Sequence, residues 1–186
     1  MNDIINRGWI DLVLTPQRFN EVKRIKDTWE AKNYYKECVS RLDHLKEWKT
    51  PIYYDNLKLL KHYDCYGFET DRNLLEGDLI EANFDFNIEG KNSLRLKVSS
   101  YQKTIESDGL EEETKLLLSE IDANRFNPLI MPIKFGECVI SLKRLVNTIS
   151  IDIKVNPPYY GENVAHQSLI QHFEWQTLTK NIIQQF

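Results

Sequence analysis

The chain has 186 residues, of which 41% are hydrophobic and 28% charged, with a formal net charge of -4. This length fits one ordinary domain, and the proportion of hydrophobic to charged residues excludes wholesale disorder. The negative net charge gives no basic excess for non-specific binding to nucleic acid. No apolar run approaches the roughly 20 residues of a membrane-spanning helix.

The chain has three cysteines, Cys38, Cys65 and Cys138, and an odd number this small does not make a disulfide framework. No Asn-x-Ser/Thr glycosylation signal is present, and Asp11 interrupts the apolar run at 9–14, so no signal peptide is predicted. These features favour an intracellular, cytoplasmic protein whose cysteines are mostly small buried hydrophobic residues.

The N-terminal third predicts helices. Thr15-Pro16 combines a hydroxyl N-cap with a proline at the first helical position. A first apolar stripe follows at helical spacing, and a second begins after Lys32-Asn33, rotated by about a third of a turn. The two stripes are Phe19, Val22, Ile25 and Trp29, then Tyr35, Cys38, Leu42 and Leu45. We therefore predict a two-faced helical arm.

Thr50-Pro51 predicts the start of another helix, with Tyr53, Leu57 and Leu60 on one face. From Asp78 onward the apolar period changes to two, which is typical of half-buried strands. Two strands separated by a turn at 89–92 form a predicted hairpin. Acidic side chains on its first strand would face basic ones on the second. Its alternating apolar residues are Ile80, Ala82, Phe84, Phe86, Ile88, Leu94, Leu96 and Val98.

Asp108-Gly109 then predicts a helix with three glutamates in its first turn and with Leu117 and Ile121 on its buried face. Two more strands follow, and Pro157-Pro158 ends the second of them. Their alternating residues are Cys138, Ile140, Leu142, Ile149, Ile151, Ile153 and Val155. A last helix is predicted from about 163 to 186, with Trp175, Leu178, Ile182 and Phe186 as its apolar stripe.

This element order predicts an α+β fold, an antiparallel β-β-α-β-β sheet covered by helices, with an N-terminal helical arm and a C-terminal helix. The predicted division is a helical arm at 1–75 and an α+β domain at 76–186, or one continuous domain.

The aromatic residues of the predicted arm are the best candidates for a binding surface, because Trp and Tyr among lysines often anchor partners. They are Trp29, Tyr34, Tyr35 and Trp48. One sheet face cannot easily bury both stripes of the arm, which favours a partner, either another protein or a second copy of the chain. Nucleic acid is a further possible partner.

A catalytic alternative comes from Asp78 followed by Glu89-x-Lys91. Metal-dependent nucleases of the PD-(D/E)xK type use two carboxylates on Mg²⁺ or Mn²⁺ with a nearby lysine. Here, however, Glu89 and Lys91 fall in a predicted turn. The candidates under this alternative are Asp78, Glu81, Glu89 and Lys91.

The four histidines do not have metal-ligand spacing, and they are predicted to be satisfied surface residues. Phosphate-binding glycine loops and nucleophile elbows are also missing from the sequence. We therefore predict a non-enzymatic intracellular module for protein binding or assembly that needs no metal or cofactor. A metal-dependent nuclease or nucleic-acid-processing accessory protein remains the alternative.

Overall fold

The computed structural model of the chain describes residues 16–48, 57–88, 91–107, 109–121, 135–158 and 169–184. Seven strands form one sheet in these residues: β1 Gln17–Arg24, β2 Leu57–Tyr63, β3 Leu79–Ile88, β4 Lys91–Ile105, β5 Glu111–Glu120, β6 Glu137–Leu145 and β7 Thr148–Asn156. The helices are α1 Thr28–Asp43, α2 Leu45–Trp48 and α3 Trp175–Ile183, with a 3-10 turn at Leu169–His172.

The sheet is antiparallel throughout, with the strand order β1-β7-β6-β5-β4-β3-β2. It curls into a half-barrel, and the helices cover one of its faces. α1 packs on β6 and β7, α3 on β1 and β7, and α2 on β2. The fold is therefore α+β, as predicted, with more strands than the sequence pattern suggested.

Period-two alternation places the core residues on the face covered by the helices. Inward side chains of the central strands are buried, among them Ile80, Leu96, Ile140 and Ile151. The predicted hairpin is confirmed by the β3–β4 pairing, in which Glu81 lies opposite Arg95 and accepts a 3.0 Å hydrogen bond from it. Opposite charges on paired strands contribute a few tenths of a kcal/mol to about 1 kcal/mol.

The predicted N-terminal helical arm is wrong in two places. Residues 17–24 form β1, which pairs with β7 along its whole length, and residues 57–63 form β2 at the other edge of the sheet. Val22 is exposed on the outer face instead of lying on a buried stripe. The apolar residues of these two segments happen to be spaced as in a helix. Because edge strands bury few side chains, the alternation of apolar and polar residues that marks a strand is weak in them.

The second predicted stripe is confirmed on α1. Asp27 caps this helix by accepting hydrogen bonds from the backbone N–H groups of Trp29 and Glu30 at 2.8 and 2.9 Å. Tyr35, Cys38 and Leu42 are buried against the sheet. The helix therefore begins at an aspartate cap rather than at Thr15-Pro16.

The helix predicted after Asp108-Gly109 is also wrong, because residues 111–120 form β5, in the centre of the sheet. Its inward side chains are Glu112, Thr114, Leu116 and Leu118, whereas Leu117 is half-buried on the other face. A glutamate in the first inward position hid the alternation, since an isolated charge is rarely buried without a partner.

The C-terminal helix docks as predicted, although it is shorter. Trp175, Leu178 and Ile182 are buried, and the Trp175 indole N–H donates to the Ile170 carbonyl at 2.7 Å. Phe186 and the predicted helical residues 163–168 lie outside the described residues, as does Tyr53.

The described parts of 16–75 contribute two strands to the single sheet, and some of their side chains belong to the same hydrophobic core as those of the rest of the chain. Within the described ranges, no helix combines the length and the apolar character that crossing a membrane requires.

Candidate functional site

A buried carboxylate, Asp78, holds the loop between β2 and β3 against the sheet. Both of its oxygens accept hydrogen bonds from the Arg72 guanidinium, at 2.8 and 2.7 Å. One oxygen also accepts from His62 Nε2 and from the Leu75 backbone N–H, each at 2.8 Å. The backbone of Asp78 exchanges further hydrogen bonds with Leu75 and Val98. Asp78 therefore joins the loop to β2 and β4.

Burial alone would raise the pKa of Asp78, because a charged carboxylate loses hydration there. Hydrogen bonds from Arg72, His62 and Leu75 outweigh that effect, so the pKa of Asp78 lies below its ordinary value. The carboxylate is thus ionised at neutral pH and only accepts hydrogen bonds.

An open cleft of about 350 Å³ lies beside this cluster. Leu45, Leu60 and His62 are its buried residues, and each exposes 6% of its surface or less. The charged residues that line the cleft include Arg72 and two lysines paired with acids, Lys61 with Glu69 at 2.9 Å and Lys46 with Asp71. We call this feature the His62 cleft.

A second buried ion pair joins Arg144 of β6 to Glu112 of β5, with Nε donating to the carboxylate at 3.1 Å. Arg144 is fully buried, and it also donates to the carbonyls of Val146 and Gly109 at 2.9 and 2.5 Å. It thereby holds the β4–β5 turn and the β6–β7 turn together.

These two turns and the end of β1 form one end of the sheet, where several apolar side chains are exposed. Trp29 is 73% exposed and Ile105 is 68% exposed. The backbone also joins the turns, since the Val146 N–H donates to the Leu110 carbonyl at 2.8 Å. We call this region the hairpin end and define it as Arg24, Lys26, Trp29, Ile105, Glu106, Leu110, Leu145 and Val146.

Val146 has a positive φ of 55°, which is an outlier for a β-branched residue. The two-residue turn at 146–147 normally favours glycine or asparagine at such a position. The contacts with Arg144 and Leu110 hold the strained turn in place. Strain of this kind costs on the order of 1–3 kcal/mol and occurs often at functional sites.

Two further polar clusters lie between α1 and the sheet. The Tyr35 hydroxyl hydrogen-bonds with Thr114 at 2.9 Å, and burial raises the pKa of Tyr35 to about 12. The Asp43 carboxylate accepts one hydrogen bond from the Tyr101 hydroxyl and a second, at 3.1 Å, from the Lys103 ammonium group. Burial, and then the hydrogen bond with Asp43, raises the pKa of Tyr101. These satisfied pairs fix α1 on the sheet.

The four predicted binding aromatics do not share one surface. Tyr35 and Trp48 belong to the hydrophobic core, and Tyr34 is half-buried, with its ring in contact with Lys23 and Arg41. Trp29 is exposed in the first turn of α1. Of the four, Trp29 alone is mostly exposed.

The candidate nuclease residues that the structure describes do not converge. Asp78 is buried with its oxygens occupied, whereas Glu81 lies on the opposite face of the sheet, where it pairs with Arg95. Glu89 and the side chain of Lys91 lie outside the described residues. Among the residues that are described, no three His, Cys, Asp or Glu side chains group as metal ligands.

Sequence reasoning did not identify His62 and Arg72 as partners of Asp78. His62, predicted to lie on the surface, is only 4% exposed. The missed signal is its inward position on β2, two residues from the buried Leu60. That signal depends on recognising β2 as a strand.

Two of the three cysteines are buried, as predicted, and Cys65 is exposed. Burial raises the pKa of Cys38 to about 11 and places that of Cys138 well above its ordinary value. Both side chains are therefore neutral thiols in the core, unsuited to act as nucleophiles.

No protein-family model matches the chain, and no curated protein matches it by sequence. Among solved structures, it is similar to the hypothetical protein jhp0584 from Helicobacter pylori. The TM-score is 0.51 and the identity 8%, over 92% of this chain and 87% of that one. This likeness shows the fold alone, an α+β sheet with helices on one face.

The chain also matches ginseng major latex-like protein 151 from Panax ginseng, with a TM-score of 0.49 and 9% identity, over 90% of this chain and 95% of that one. Norcoclaurine synthase from Thalictrum flavum matches with a TM-score of 0.42 and 9% identity, over 98% of this chain and 91% of that one. Likenesses this distant assign no activity to the chain.

Proposed function

We propose that the protein is a non-enzymatic assembly module that forms a twofold dimer through its hairpin end. The observation that carries the proposal is the order of side chains across this end. Strand order places Arg24 and Lys26 at one side, Leu145 and Val146 next, then Leu110 and Ile105, and Glu106 at the far side.

A twofold axis through the middle of this row would place the basic side of each copy against the acidic side of the other. The apolar residues would then meet in the centre. A surface that is complementary to itself in this way is the requirement for an isologous dimer. Adjacent strands are about 4.8 Å apart, so the four intervals from β1 to β4 span about 19 Å.

The charges at the two sides are available for such contacts. Arg24, Lys26 and Glu106 are exposed, and within the described ranges their side chains form no hydrogen bond or close ion pair, although Glu106 is near enough to Lys143 to help raise the pKa of that lysine. The chain after β1 lies against the β6–β7 turn, where Ile25 donates a 2.9 Å backbone hydrogen bond to Asn147, and Trp29 follows in the first turn of α1. An exposed tryptophan beside unpaired charges resembles the anchors of protein interfaces.

Charge reversal with mixing tests the proposal. Glu106→Lys should weaken the dimer, because the introduced lysine meets Lys26 of the other copy. Lys26→Glu should weaken it by the mirror-image repulsion. A mixture of the two variants should form a heterodimer in which both contacts are attractive again. Asp85→Lys, toward the opposite end of the sheet, is the matched control and should leave association unchanged.

Sedimentation equilibrium of each variant and of the mixture would measure these effects. We expect each single reversal to raise the dissociation constant by about tenfold or more, which corresponds to 1.4 kcal/mol per tenfold. A monomeric wild-type chain at all concentrations, or a mixture that associates no better than its components, would overturn the proposal.

A further inference from the structure

The Arg72 guanidinium has a second hydrogen-bonding edge that Asp78 does not use. Asp78 and the Asn73 carbonyl accept from both protons of Nη1 and from one proton of Nη2. The remaining Nε–H and Nη2–H form the side edge of the planar group, and in the described residues neither donates to an acceptor. Two parallel N–H donors match the two oxygens of a carboxylate or phosphate.

The Arg72 side chain is partly accessible from the His62 cleft. Its side chain is 38% exposed and lines the His62 cleft, whereas Asp78 beneath it is 1% exposed. Asp78 thus neutralises and orients the guanidinium from the buried side. An arginine held in this way loses little conformational freedom when a ligand binds to it.

His62 adds a second polar group to the wall of the cleft. Because Asp78 is an ionised acceptor, His62 Nε2 must donate to it, and Nδ1 is the remaining polar atom of the ring. Within the described part of the chain, Nδ1 has no hydrogen-bond partner. This nitrogen can form a hydrogen bond with a hydroxyl group or a phosphate oxygen of a ligand.

We propose that the His62 cleft binds a small molecule whose oxyanion head group, a carboxylate or a phosphate, lies on the side edge of Arg72 and whose compact apolar body contacts Leu45 and Leu60. A volume of about 350 Å³ lies at the lower end of the range of ligand pockets. Lys46 and Lys61 at the cleft are already paired with Asp71 and Glu69, so the side edge of Arg72 carries the recognition of the anion.

The experiment titrates the full-length, ¹⁵N-labelled protein with benzoate, phenyl phosphate and the neutral analogue benzyl alcohol, and follows the Arg72 Nε–H resonance by NMR. We expect saturable shifts at Arg72 with at least one of the two anions and no comparable effect of benzyl alcohol. The two anions distinguish a carboxylate site from a phosphate site. Because the probes are compared on the wild-type chain, this result needs no variant.

Two variants locate the site. Arg72→Lys keeps a cation beside Asp78 but removes the side edge, so anion binding should weaken at least tenfold while the melting temperature falls by only a few degrees. Lys58→Gln, on β2 but outside the cleft, should bind as the wild type does. Shifts without saturation, equal binding of benzyl alcohol, or unchanged binding by Arg72→Lys would each overturn the proposal.

This inference does not depend on dimerisation, since the cleft lies on the β2–β3 side of the sheet, away from the β6–β7 turn. A monomeric protein with a saturable Arg72 site would reject only the proposed dimer. A dimer without anion binding would reject only the cleft.

Discussion

Two buried carboxylates, Glu112 and Asp78, are each paired with an arginine, but the two arginines differ in their exposure. Arg144 is fully buried, and it donates to Glu112 and to two turn carbonyls. Arg72 is partly exposed, and its side edge faces no acceptor in the described residues. The first pair therefore serves the structure alone, whereas the second leaves hydrogen-bonding capacity for a ligand.

The largest effect should follow from removing the buried cation. We expect Arg144→Met to lower the free energy of unfolding by about 3–5 kcal/mol, because Glu112 would stay buried without its partner. Urea denaturation would measure the loss. The double variant Arg144→Met with Glu112→Leu should recover part of it, since the unpaired charge is gone. A single variant as stable as the wild type would contradict the structural role of this pair.

Asp78→Asn should cost about 2–3 kcal/mol at neutral pH, because Arg72 and His62 lose a charged acceptor. The folded-state pKa of Asp78 is lowered, so its contribution is complete above the unfolded value of about 4 and is lost as the pH falls through the folded value. The difference between wild type and variant should therefore shrink below about pH 4.

Urea denaturation across this pH range would measure that difference. Asp71→Asn is the matched control, since Asp71 forms an exposed pair with Lys46 that is worth about 0–1 kcal/mol. A difference for Asp78→Asn that stayed constant down to the lowest pH would contradict the lowered pKa.

Arg72→Lys should cost less, about 1–1.5 kcal/mol, because a lysine keeps the charge but loses the bidentate geometry. Thermal unfolding followed by circular dichroism would measure the change. A loss as large as that of Arg144→Met would mean that both arginines stabilise the fold equally, and the contrast between the pairs would fail.

The smallest effect concerns the strained turn. Val146→Gly should raise stability by about 0.5–1 kcal/mol, because glycine adopts the positive φ without a steric cost, which outweighs its larger loss of entropy. The same variant should weaken dimerisation by removing an apolar side chain from the hairpin end. Thermal unfolding and sedimentation equilibrium would measure the two effects, and lower stability would show that the turn is not strained. Asn147→Gly, at the neighbouring turn position, controls for added flexibility.

Local patterns in the sequence were enough to predict the β3–β4 hairpin, β6, β7 and the buried stripe of α1. Each of these elements repeats its apolar residues at its own period, so no distant residue is needed to recognise it. The candidate Asp78 was also identified from the sequence, although only as a catalytic residue under the nuclease alternative. Its contacts with Arg72 and His62 could not be predicted, because His62 lies on β2, which the spacing of apolar residues had assigned to a helix.

Tertiary structure decided the remainder, because the deciding partners are distant in sequence. Residues 17–24 are a strand because β7, more than 120 residues later, offers a free edge for pairing. Residues 111–120 are a strand because they pair with β4 on one side and β6 on the other, and Arg144 neutralises the inward Glu112 that hid their alternation. The hairpin end and the His62 cleft arise in the same way. Both are built from side chains that the sheet brings together across long stretches of chain, and no periodicity along the sequence records such contacts.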